Sequence, residues 1–528
     1  MLTVKNLKIH FKNRKTINVA VDDISFSLSR GETLAIVGES GSGKSISCYS
    51  LLGLVPCPPG DISSGTAVFE GEDLLSLNER QLRDIRGAKI SMIFQDPMTC
   101  LTPHMRIGEQ VAEALKAHQS LSNKEAQKLA IDALHEVGIV NPEQRYKDYP
   151  HQFSGGMRQR VMIAMALATQ PEILIADEPT TALDVTVQKQ ILELLAQIQQ
   201  QRQLSIIFIS HDLAVVKTVA DRILVMQKGC IVEQGLSRDV LKHAKHPYTQ
   251  TLLDAVPSSS KPQQFVREKG GVIVDIKSLR VNFAVAKSAL FAPKVDDFRA
   301  VDNVSFEIHE GEILGLVGES GSGKSTIGKC LTRLCKPSSG SVYYKGDDLC
   351  RASASSLQRE IQMVFQDPFA SLNPRMTVFQ TLSEPLLVHG LAAKAELHDR
   401  IRKLLSDVEL DESAMGRYPH EFSGGQRQRI AIARALACEP RLLVADEPVS
   451  ALDVTVQKQI LALLLNLAKE HQLSMLFISH DLAVVRYVCD RVLVLKHGEL
   501  VEQGACEDLF SAASHSYTQQ LIASIPEL

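Results

Sequence analysis

The sequence predicts an α/β fold that occurs twice in one chain, and three observations support this prediction. An identical glycine-rich octet stands at residues 38–45 and again at residues 318–325. Each octet follows a short apolar run and leads into a helical pattern, which gives the order strand, loop, helix. Continuous apolar runs such as 173–176 and 206–209 end in polar residues, as buried parallel strands do. We therefore expect two α/β domains.

The composition limits the class of protein. At 528 residues the chain exceeds what one hydrophobic core supports, so at least two domains are expected. The net charge of −4 provides no basic surface field, which disfavours a nucleic-acid partner. No apolar run approaches the length of a membrane span, and the amino terminus opens on a strand pattern rather than the apolar core of a signal peptide. We expect a cytosolic protein that reaches a membrane only through partners.

The octet has the residue types of a phosphate-binding P-loop. Its glycines allow successive backbone N–H groups to surround a polyphosphate, and the helix that begins at the lysine directs the positive end of its dipole at the same anion. Lys44 and Lys324 are predicted to reach the terminal phosphates, and the Ser45 and Ser325 hydroxyls to bind Mg²⁺. The predicted nucleotide-binding residues are Gly38, Glu39, Ser40, Gly41, Ser42, Gly43, Lys44 and Ser45, then Gly318, Glu319, Ser320, Gly321, Ser322, Gly323, Lys324, Ser325 and Thr326.

Polar side chains at the ends of three apolar runs in the first half are candidates for metal binding and catalysis. Gln95 ends one run at a sheet edge, within predicted reach of a metal-bound phosphate. Asp177 and Glu178 end the run 173–176, where Asp177 suits Mg²⁺ binding and Glu178 suits polarising an attacking water. His211 follows the run 206–209 and is predicted to contact the γ-phosphate. A histidine at this place is also commonly a structural residue.

A Ser-Gly-Gly motif precedes a long apolar helical pattern in each half. Ser154 and Gly156 in the first half, and Ser423 and Gly425 in the second, are predicted to form a second anion cradle at a helix amino terminus. A single Ser-Gly-Gly is an ordinary helix cap. Its recurrence in the context Phe-Ser-Gly-Gly-x-Arg-Gln-Arg favours the functional interpretation.

The spacing between the two copies provides a quantitative check. Lys44 and Lys324 are 280 positions apart, whereas Gln95 and Gln366 are 271 apart. From the Ser-Gly-Gly motif onward the interval is constant at 269 positions, which relates Ser154 to Ser423, Asp177 to Asp446, Glu178 to Glu447 and His211 to His480. The predicted site residues therefore have similar spacings in the two halves, and the differences in length fall in loops.

The domain boundaries follow from local composition. Residues 258–264 form a polar linker without a core-forming pattern. We predict a first domain at residues 1–257, a linker at 258–270 and a second domain at 271–528. Residues 2–30 alternate apolar and polar, as an antiparallel sheet with one solvated face does. Within them, Phe11 fits either adenine stacking or core packing. Residues 284–299 form an insertion without an assignable pattern.

With these residues identified, the chain resembles the ATP-binding subunit of an ABC transporter, with two such domains fused. The resemblance spans nearly the whole sequence and covers the Walker A octets, the Q-loop glutamines, the signatures, the Walker B pairs, the D-loop residues Asp184 and Asp453 and the switch histidines. A finer resemblance, to oligopeptide and dipeptide importers, lies in Phe-Gln-Asp-Pro at 94–97 and 365–368, Tyr-Pro-His before each signature and His-Pro-Tyr-Thr at 246–249. The fused format is most similar to the microcin C type of peptide importer subunit.

The resemblance implies a mixed core sheet, an antiparallel β subdomain and an α-helical signature subdomain in each half. It implies ATP and Mg²⁺ as ligands, two integral permeases and a solute-binding protein as partners, and a peripheral position at the cytoplasmic face of the inner membrane. The implied catalytic residues are Glu178, His211, Glu447 and His480, and the implied metal-binding residues are Ser45, Gln95, Asp177, Ser325, Gln366 and Asp446.

The family also implies that the two halves dock head to tail, so that each ATP lies between the P-loop of one half and the signature of the other. Site one then combines the first P-loop with Ser423 and Gly425, and site two combines the second P-loop with Ser154 and Gly156. Neither set lacks a member, so two competent sites are expected.

Three other functions are alternatives to this interpretation. A twin-ATPase translation factor on the ribosome would, by family resemblance, carry a long charged helical linker where this chain has a short Ser/Pro stretch. A DNA-repair ATPase would show zinc-binding cysteine pairs or coiled-coil insertions, and the sequence has neither. An exporter remains open, because no residue of this chain contacts the transported molecule.

Overall fold

The computed structural model describes residues 1–12, 16–181, 183–256, 260–265, 269–283, 298–349, 351, 354–450 and 452–526. The predicted insertion falls mainly on residues 284–297, which lie outside the described residues, as do 257–259 and 266–268 of the predicted boundary region and the last two residues. Among the described residues, no helix combines the length and hydropathy that crossing a bilayer requires.

The described first half contains ten strands and eleven helices. The strands are β1 (Leu2–Lys12), β2 (Ile17–Leu28), β3 (Thr33–Val37), β4 (Gly60–Phe69), β5 (Glu72–Asp73), β6 (Ile90–Ile93), β7 (Ile173–Asp177), β8 (Ser205–Ser210), β9 (Arg222–Gln227) and β10 (Cys230–Leu236). The helices are α1 (Lys44–Leu51), α2 (Glu79–Ile85), α3 (Pro97–Cys100), α4 (Ile107–His118), α5 (Asn123–Glu136), α6 (Pro142–Arg145), α7 (Gly155–Leu167), α8 (Val185–Arg202), α9 (Leu213–Val219), α10 (Ser237–Lys242) and α11 (Pro247–Ala255).

The described second half repeats this order with one helix fewer. Its strands are β11 (Val272–Phe283), β12 (Phe298–His309), β13 (Ile313–Val317), β14 (Ser339–Tyr344), β15 (Asp347–Asp348), β16 (Ile361–Val364), β17 (Leu442–Asp446), β18 (Ser474–Ser479), β19 (Arg491–Lys496) and β20 (Glu499–Ala505). Its helices are α12 (Lys324–Leu331), α13 (Ala354–Glu360), α14 (Pro368–Ser371), α15 (Val378–Val388), α16 (Leu397–Asp407), α17 (Gly424–Leu436), α18 (Val454–Glu470), α19 (Leu482–Val488), α20 (Cys506–Ala512) and α21 (Ser516–Ile522).

Each half has a six-stranded mixed sheet and a four-stranded antiparallel sheet. The mixed sheets have the orders β10-β9-β3-β8-β7-β6 and β20-β19-β13-β18-β17-β16, in which only the β9–β10 and β19–β20 pairs are antiparallel. The antiparallel sheets have the orders β2-β1-β4-β5 and β12-β11-β14-β15. The predicted α/β fold with two domains of mixed and antiparallel sheets is therefore confirmed.

The core sheet is buried on both faces, which explains its continuous apolar strands. On β3, Leu34 and Ile36 pack with the antiparallel sheet in one core cluster, whereas Ala35 and Val37 pack with helices α4, α5, α7 and α8 in another. The side chains alternate between the two faces because the strand period is two residues. This sandwich fixes the carboxyl ends of β3, β7 and β8, from which the P-loop, Asp177 and the residues after Ser210 emerge.

One strand starts earlier than its composition predicts. The segment from 56 to 65 is rich in Pro, Gly and Ser, and this composition predicts turns with a strand resuming at Thr66. In the structure β4 begins at Gly60, because β1 provides a partner strand along that whole length, from Phe11 opposite Gly60 to Leu2 opposite Phe69. Gly65, with a φ of 113°, lies at the register shift of this ladder. Phe11 is half-buried and packs against the core of this subdomain.

Part of the predicted linker contacts the second half. Lys261 Nζ lies 2.6 Å from Asp490 Oδ1 and its side chain is 7% exposed. Phe265 ends a short 3₁₀ turn and is buried in the helical core of the second half. The described linker residues are thus attached to the second half by an ion pair and an apolar contact that the polar composition does not predict.

Candidate functional site

Both P-loops lie between a buried core strand and a helix, β3 and α1 in the first half and β13 and α12 in the second. The glycine before each helix, Gly43 or Gly323, has a positive φ of 100° or 102°. A Cβ on Gly38 would stand 2.2 Å from the carbonyl oxygen of Met226, because the loop passes so close to strand β9. These positions therefore require glycine for conformational and steric reasons.

The P-loop lysines are buried and bonded within their own loops. Lys44 Nζ donates to the carbonyl oxygens of Gly38 at 2.7 Å and Glu39 at 2.9 Å. Lys324 makes the corresponding bonds in the second P-loop at 2.6 and 2.8 Å. Burial lowers the pKa of both ammonium groups because it penalises the charged form. Both bonds of each lysine go to neutral carbonyl groups, so a phosphate would supply an anionic partner.

The serine after each lysine faces the aspartate that ends a core strand. Ser45 Oγ donates to Asp177 Oδ1 at 2.8 Å, and Ser325 Oγ donates to Asp446 Oδ1 at 2.8 Å. Burial raises the pKa of both aspartate carboxyl groups. A hydroxyl and a carboxylate beside a phosphate-binding loop form the oxygen-ligand set that Mg²⁺ prefers. The residues present therefore fit a magnesium ion.

Three side chains hold the carboxylate of Glu178. His211 Nδ1 lies 3.3 Å from Oε1, Gln95 Nε2 donates to Oε2 at 2.9 Å, and Thr181 Oγ1 donates to Oε2 at 3.0 Å. The backbone of Glu178 is left-handed, with a φ of 47°. Such a conformation costs about 1–3 kcal/mol in a residue other than glycine and is concentrated at functional sites. The carboxylate is thus fixed at the carboxyl edge of the core sheet.

The second half repeats this arrangement. Glu447 also has a φ of 47°, and its Oε2 lies 3.1 Å from His480 Nδ1 and accepts a 2.8 Å bond from Gln366 Nε2. The structure therefore brings together the lysine, serine, glutamine, aspartate, glutamate and histidine that were predicted for each site.

Burial and ion pairing act in opposite directions on these glutamates and histidines. Burial disfavours ionisation of Glu178, but the hydrogen bond and charge of His211 outweigh it and lower the pKa of Glu178 to about 2. The pKa of Glu447 is lowered against the effect of burial by His480. Burial likewise opposes protonation of both histidines, and the carboxylates outweigh it and raise the pKa of each imidazole. At neutral pH each glutamate is ionised and acts as an acceptor.

The signature serines cap the helices that follow them. Ser154 Oγ accepts from the Met157 N–H and Ser423 Oγ accepts from the Gln426 N–H, each at 3.4 Å. Both serines are exposed. Within the described residues, the cavity around the second P-loop has no lining residue from either signature. The structure thus shows the helix cap, and the anion cradle stays a prediction.

Comparison with known proteins gives two family matches. A family model described as ABC transporter matches residues 21–181 and again residues 301–450. A second model, described as oligopeptide/dipeptide transporter, C-terminal region, matches residues 232–277 and 501–528. Together the first two segments cover more than half of the chain. The chain belongs to the ABC transporter family.

This ABC protein matches relatives from several bacteria over most of the length of both chains. It is 47% identical over 527 residues to the uncharacterized ABC transporter ATP-binding protein YejF of Escherichia coli K12, with 99% of each chain covered. It is 46% identical to the peptidoglycan transport ATP-binding protein YejF of Agrobacterium fabrum, covering 99% of this chain and 96% of that one. It is 43% identical to the glutathione import ATP-binding protein GsiA of Pectobacterium atrosepticum, covering 100% and 89%. This ABC protein is therefore an ATPase of a kind that works as the ATP-binding component of transporters.

In this ABC protein each P-loop is contacted by the opposite half. The Ser320 N–H in the second P-loop donates to Asp184 Oδ2 of the first half at 2.8 Å. In the first P-loop, Glu39 Oε1 accepts from Thr455 Oγ1 of the second half at 2.5 Å. The residue that contacts each P-loop thus comes from the D-loop or from the first turn of the helix after it.

The cavity around the second P-loop has a volume of about 240 Å³ and brings residues of both halves together. Asp184 of the first half lines it beside Lys324 and Ser325. Phe283 and Phe298 also line it and are 46% and 55% exposed. The sequence did not point to these two aromatic residues, since Phe283 immediately precedes the insertion without an assignable pattern and Phe298 lies near its end.

The surroundings of Asp177 and Asp446, the two aspartates that fit Mg²⁺, differ at one helix position that the sequence motifs do not include. Tyr49 on α1 donates its hydroxyl to Asp177 Oδ2 at 3.0 Å. The corresponding residue on α12 is Lys329, whose positive charge acts on Asp446 and opposes the effect of burial on its pKa. Alignment of the two P-loop helices would have shown this Tyr/Lys difference. The aspartate of the first half therefore has a second neutral donor, whereas that of the second half has a nearby cation.

Proposed function

We propose that this chain is the ATP-hydrolysing subunit of an importer of peptides or peptide-like molecules at the cytoplasmic face of the bacterial inner membrane. The observation that carries this proposal is the combination of two complete sets of nucleotide-site residues with two matches to the C-terminal region of oligopeptide/dipeptide transporters. The names of the relatives, peptidoglycan transport and glutathione import, support a peptide-like cargo. The microcin C type is our finer proposal, based on the fused format.

The proposed ATP sites are composite. Site one uses the first P-loop with Gln95, Asp177, Glu178 and His211, and it is completed by Ser423 and Gly425. Site two uses the equivalent residues of the second half and is completed by Ser154 and Gly156. The contacts of Asp184 and Thr455 with the opposite P-loops support this head-to-tail pairing. Fusion in one chain raises the effective concentration of each half for the other.

The side chains at each site have separable roles in hydrolysis. The P-loop lysine would turn from its carbonyl partners to the terminal phosphates of a bound nucleotide. The serine and aspartate would hold Mg²⁺, which would neutralise phosphate charge. Glu178, which is ionised, accepts a hydrogen bond from the attacking water and polarises it. His211 orients that carboxylate through its Nδ1 and is proposed to contact the γ-phosphate. Glu447 and His480 have the same roles at site two.

A groove beside the second Q-loop, lined by both apolar and polar side chains, supports a membrane partner. It has a volume of about 440 Å³ and is lined by Leu334, Phe365 and Val388 among others. Leu334 and Val388 are 61% and 73% exposed and line the same groove, and exposed apolar side chains that lie together are typical of an interaction site. We propose that a cytoplasmic segment of an integral permease occupies this groove, close to Gln366, so that the glutamine senses both ATP and the permease.

Affinity purification from solubilised membranes tests the proposed function. The tagged chain is expected to recover two different integral permeases, identified by mass spectrometry. In proteoliposomes, a solute-binding protein loaded with a tripeptide or with glutathione is expected to stimulate ATP hydrolysis. Recovery of ribosomes without any membrane protein would contradict the transport function. Export of the tripeptide, measured by its direction across the vesicle membrane, would contradict import.

A further inference from the structure

A tyrosine from the carboxyl-terminal segment of each half bonds to the P-loop of the same half. The Glu39 N–H donates to the hydroxyl oxygen of Tyr248 at 3.0 Å, and the Glu319 N–H donates to that of Tyr517 at 3.1 Å. Both tyrosines are buried, at 8% and 4% exposure. They belong to a His-x-Tyr-Thr motif that stands at residues 246–249 and again at 515–518, and the nucleotide chemistry described above gives this motif no role.

The bond fixes a peptide group that is also held by the catalytic-site lysine. Lys44 Nζ donates to the Gly38 carbonyl oxygen, and Tyr248 receives the Glu39 N–H, so both polar ends of the single peptide between Gly38 and Glu39 are bonded. The second P-loop has the same pair of bonds from Lys324 and Tyr517. When Lys44 turns to a bound phosphate, the hydrogen bond from the Glu39 N–H to Tyr248 would still orient this peptide.

The helix that carries Tyr248 is anchored at both of its ends. At its start, the backbone N–H groups of Lys245 and His246 donate to the carboxylate of Glu233 at 2.9 and 3.1 Å. Near its end, the Asp254 carbonyl oxygen accepts from Lys458 Nζ of the opposite half at 2.6 Å. The hydroxyl is therefore placed by a fixed helix and is preorganised before a nucleotide binds.

The surroundings of the Tyr248 hydroxyl keep the phenol in its neutral form. Burial raises the pKa of Tyr248 to about 12 against the opposing effect of the Glu39 N–H bond, and the charges of Glu39 and of Asp453 in the opposite half add to it. The same groups act on Tyr517, with Asp184 as the aspartate from the opposite half. The phenol is thus neutral at physiological pH and serves as a hydrogen-bonding group.

We propose that Tyr248 and Tyr517 are positioning residues of the two ATP sites, which hold the first peptide of each P-loop in the orientation that receives the phosphates. This rests on the proposed assignment of the ATP sites. Because the hydroxyl bonds to the backbone of the loop, its removal is expected to lower the affinity for nucleotide rather than the rate at saturation. A neutral hydrogen bond contributes about 0.5–1.5 kcal/mol, which corresponds to a loss in affinity of roughly two- to twelvefold.

The test measures one site at a time in the full-length chain. Lys324→Ala disables site two, and the dissociation constant of a non-hydrolysable ATP analogue with Mg²⁺ then reports on site one. Tyr248→Phe in this background is expected to raise that constant roughly two- to twelvefold. Tyr517→Phe in the same background is the matched control, since it alters the same motif in the disabled site and is expected to have no effect. Faster hydrogen exchange of the Glu39 amide in Tyr248→Phe is the second expected result.

Two results would overturn the proposal. One is an unchanged dissociation constant in Tyr248→Phe together with unchanged exchange of the Glu39 amide. The other is an equal loss of affinity in Tyr517→Phe, which would indicate a general effect on stability. Binding of two nucleotides by the wild-type chain tests the ATP sites themselves, so a failure of those sites is distinguishable from a failure of the tyrosine assignment.

Discussion

Gln95 Nε2 donates a 2.9 Å hydrogen bond to Glu178 Oε2, and Gln366 donates the corresponding bond to Glu447 at 2.8 Å. Each Q-loop amide thus occupies an oxygen of the carboxylate that is proposed to polarise water. Both glutamines are also among the residues proposed to bind Mg²⁺, and an amide that did so would leave this oxygen of the carboxylate free to accept from water. The pair therefore links the Q-loop, which lies beside the proposed permease groove, to the residue that controls hydrolysis.

Replacement of both glutamates tests their proposed role. The double variant Glu178→Gln with Glu447→Gln is expected to lower ATP turnover by about 10²–10⁴, which is the usual contribution of a general base. ATP binding is expected to persist, because the P-loops are intact. Glu193→Gln, at an exposed position of α8, is the control and should leave turnover unchanged. Unaltered hydrolysis in the double variant would refute the assignment.

Two equivalent threonines provide a matched test of the contact between the halves. Thr455 Oγ1 donates to the Glu39 carboxylate, whereas the buried Oγ1 of Thr186 has no hydrogen-bond partner in the described part of the chain. Thr455→Val is expected to destabilise the protein by about 1–2 kcal/mol, and Thr186→Val to be neutral or slightly stabilising. Thermal unfolding of the two variants measures the difference. Equal shifts in melting temperature would contradict the cross-half bond.

The ion pair between His211 and Glu178 predicts a pH dependence of stability. The pKa of His211 is raised in the folded chain from its usual 6.5, so its stabilisation is fully present below about 6.5 and is lost as the pH rises through the folded value. His211→Gln should therefore cost about 2 kcal/mol at pH 6 and less at pH 9. His104→Gln, at an exposed position, is the control. A cost that does not change between these pH values would contradict the charged pair.

The sequence analysis predicted the residues of each site because they stand in short motifs at strand ends. It did not predict Tyr248, since the bond to Glu39 joins residues 209 positions apart and depends on the packing of α11. It missed the donor Tyr49 because only the structure shows that α1 directs this hydroxyl at Asp177. The start of β4 at Gly60 was missed because a partner strand, and not local composition, determines it.

The central claim is that each ATP lies between the P-loop of one half and the signature of the other. The most direct measurement is thiol cross-linking with a short bifunctional reagent, mapped by mass spectrometry, in the presence of Mg²⁺ and ATP. The background is the double glutamate-to-glutamine variant, which is expected to retain ATP. Ser40→Cys paired with Ser423→Cys should cross-link, since both serines then face the same nucleotide. Ser40→Cys paired with Ser154→Cys should not. Efficient cross-linking only in the second pair would contradict the composite arrangement.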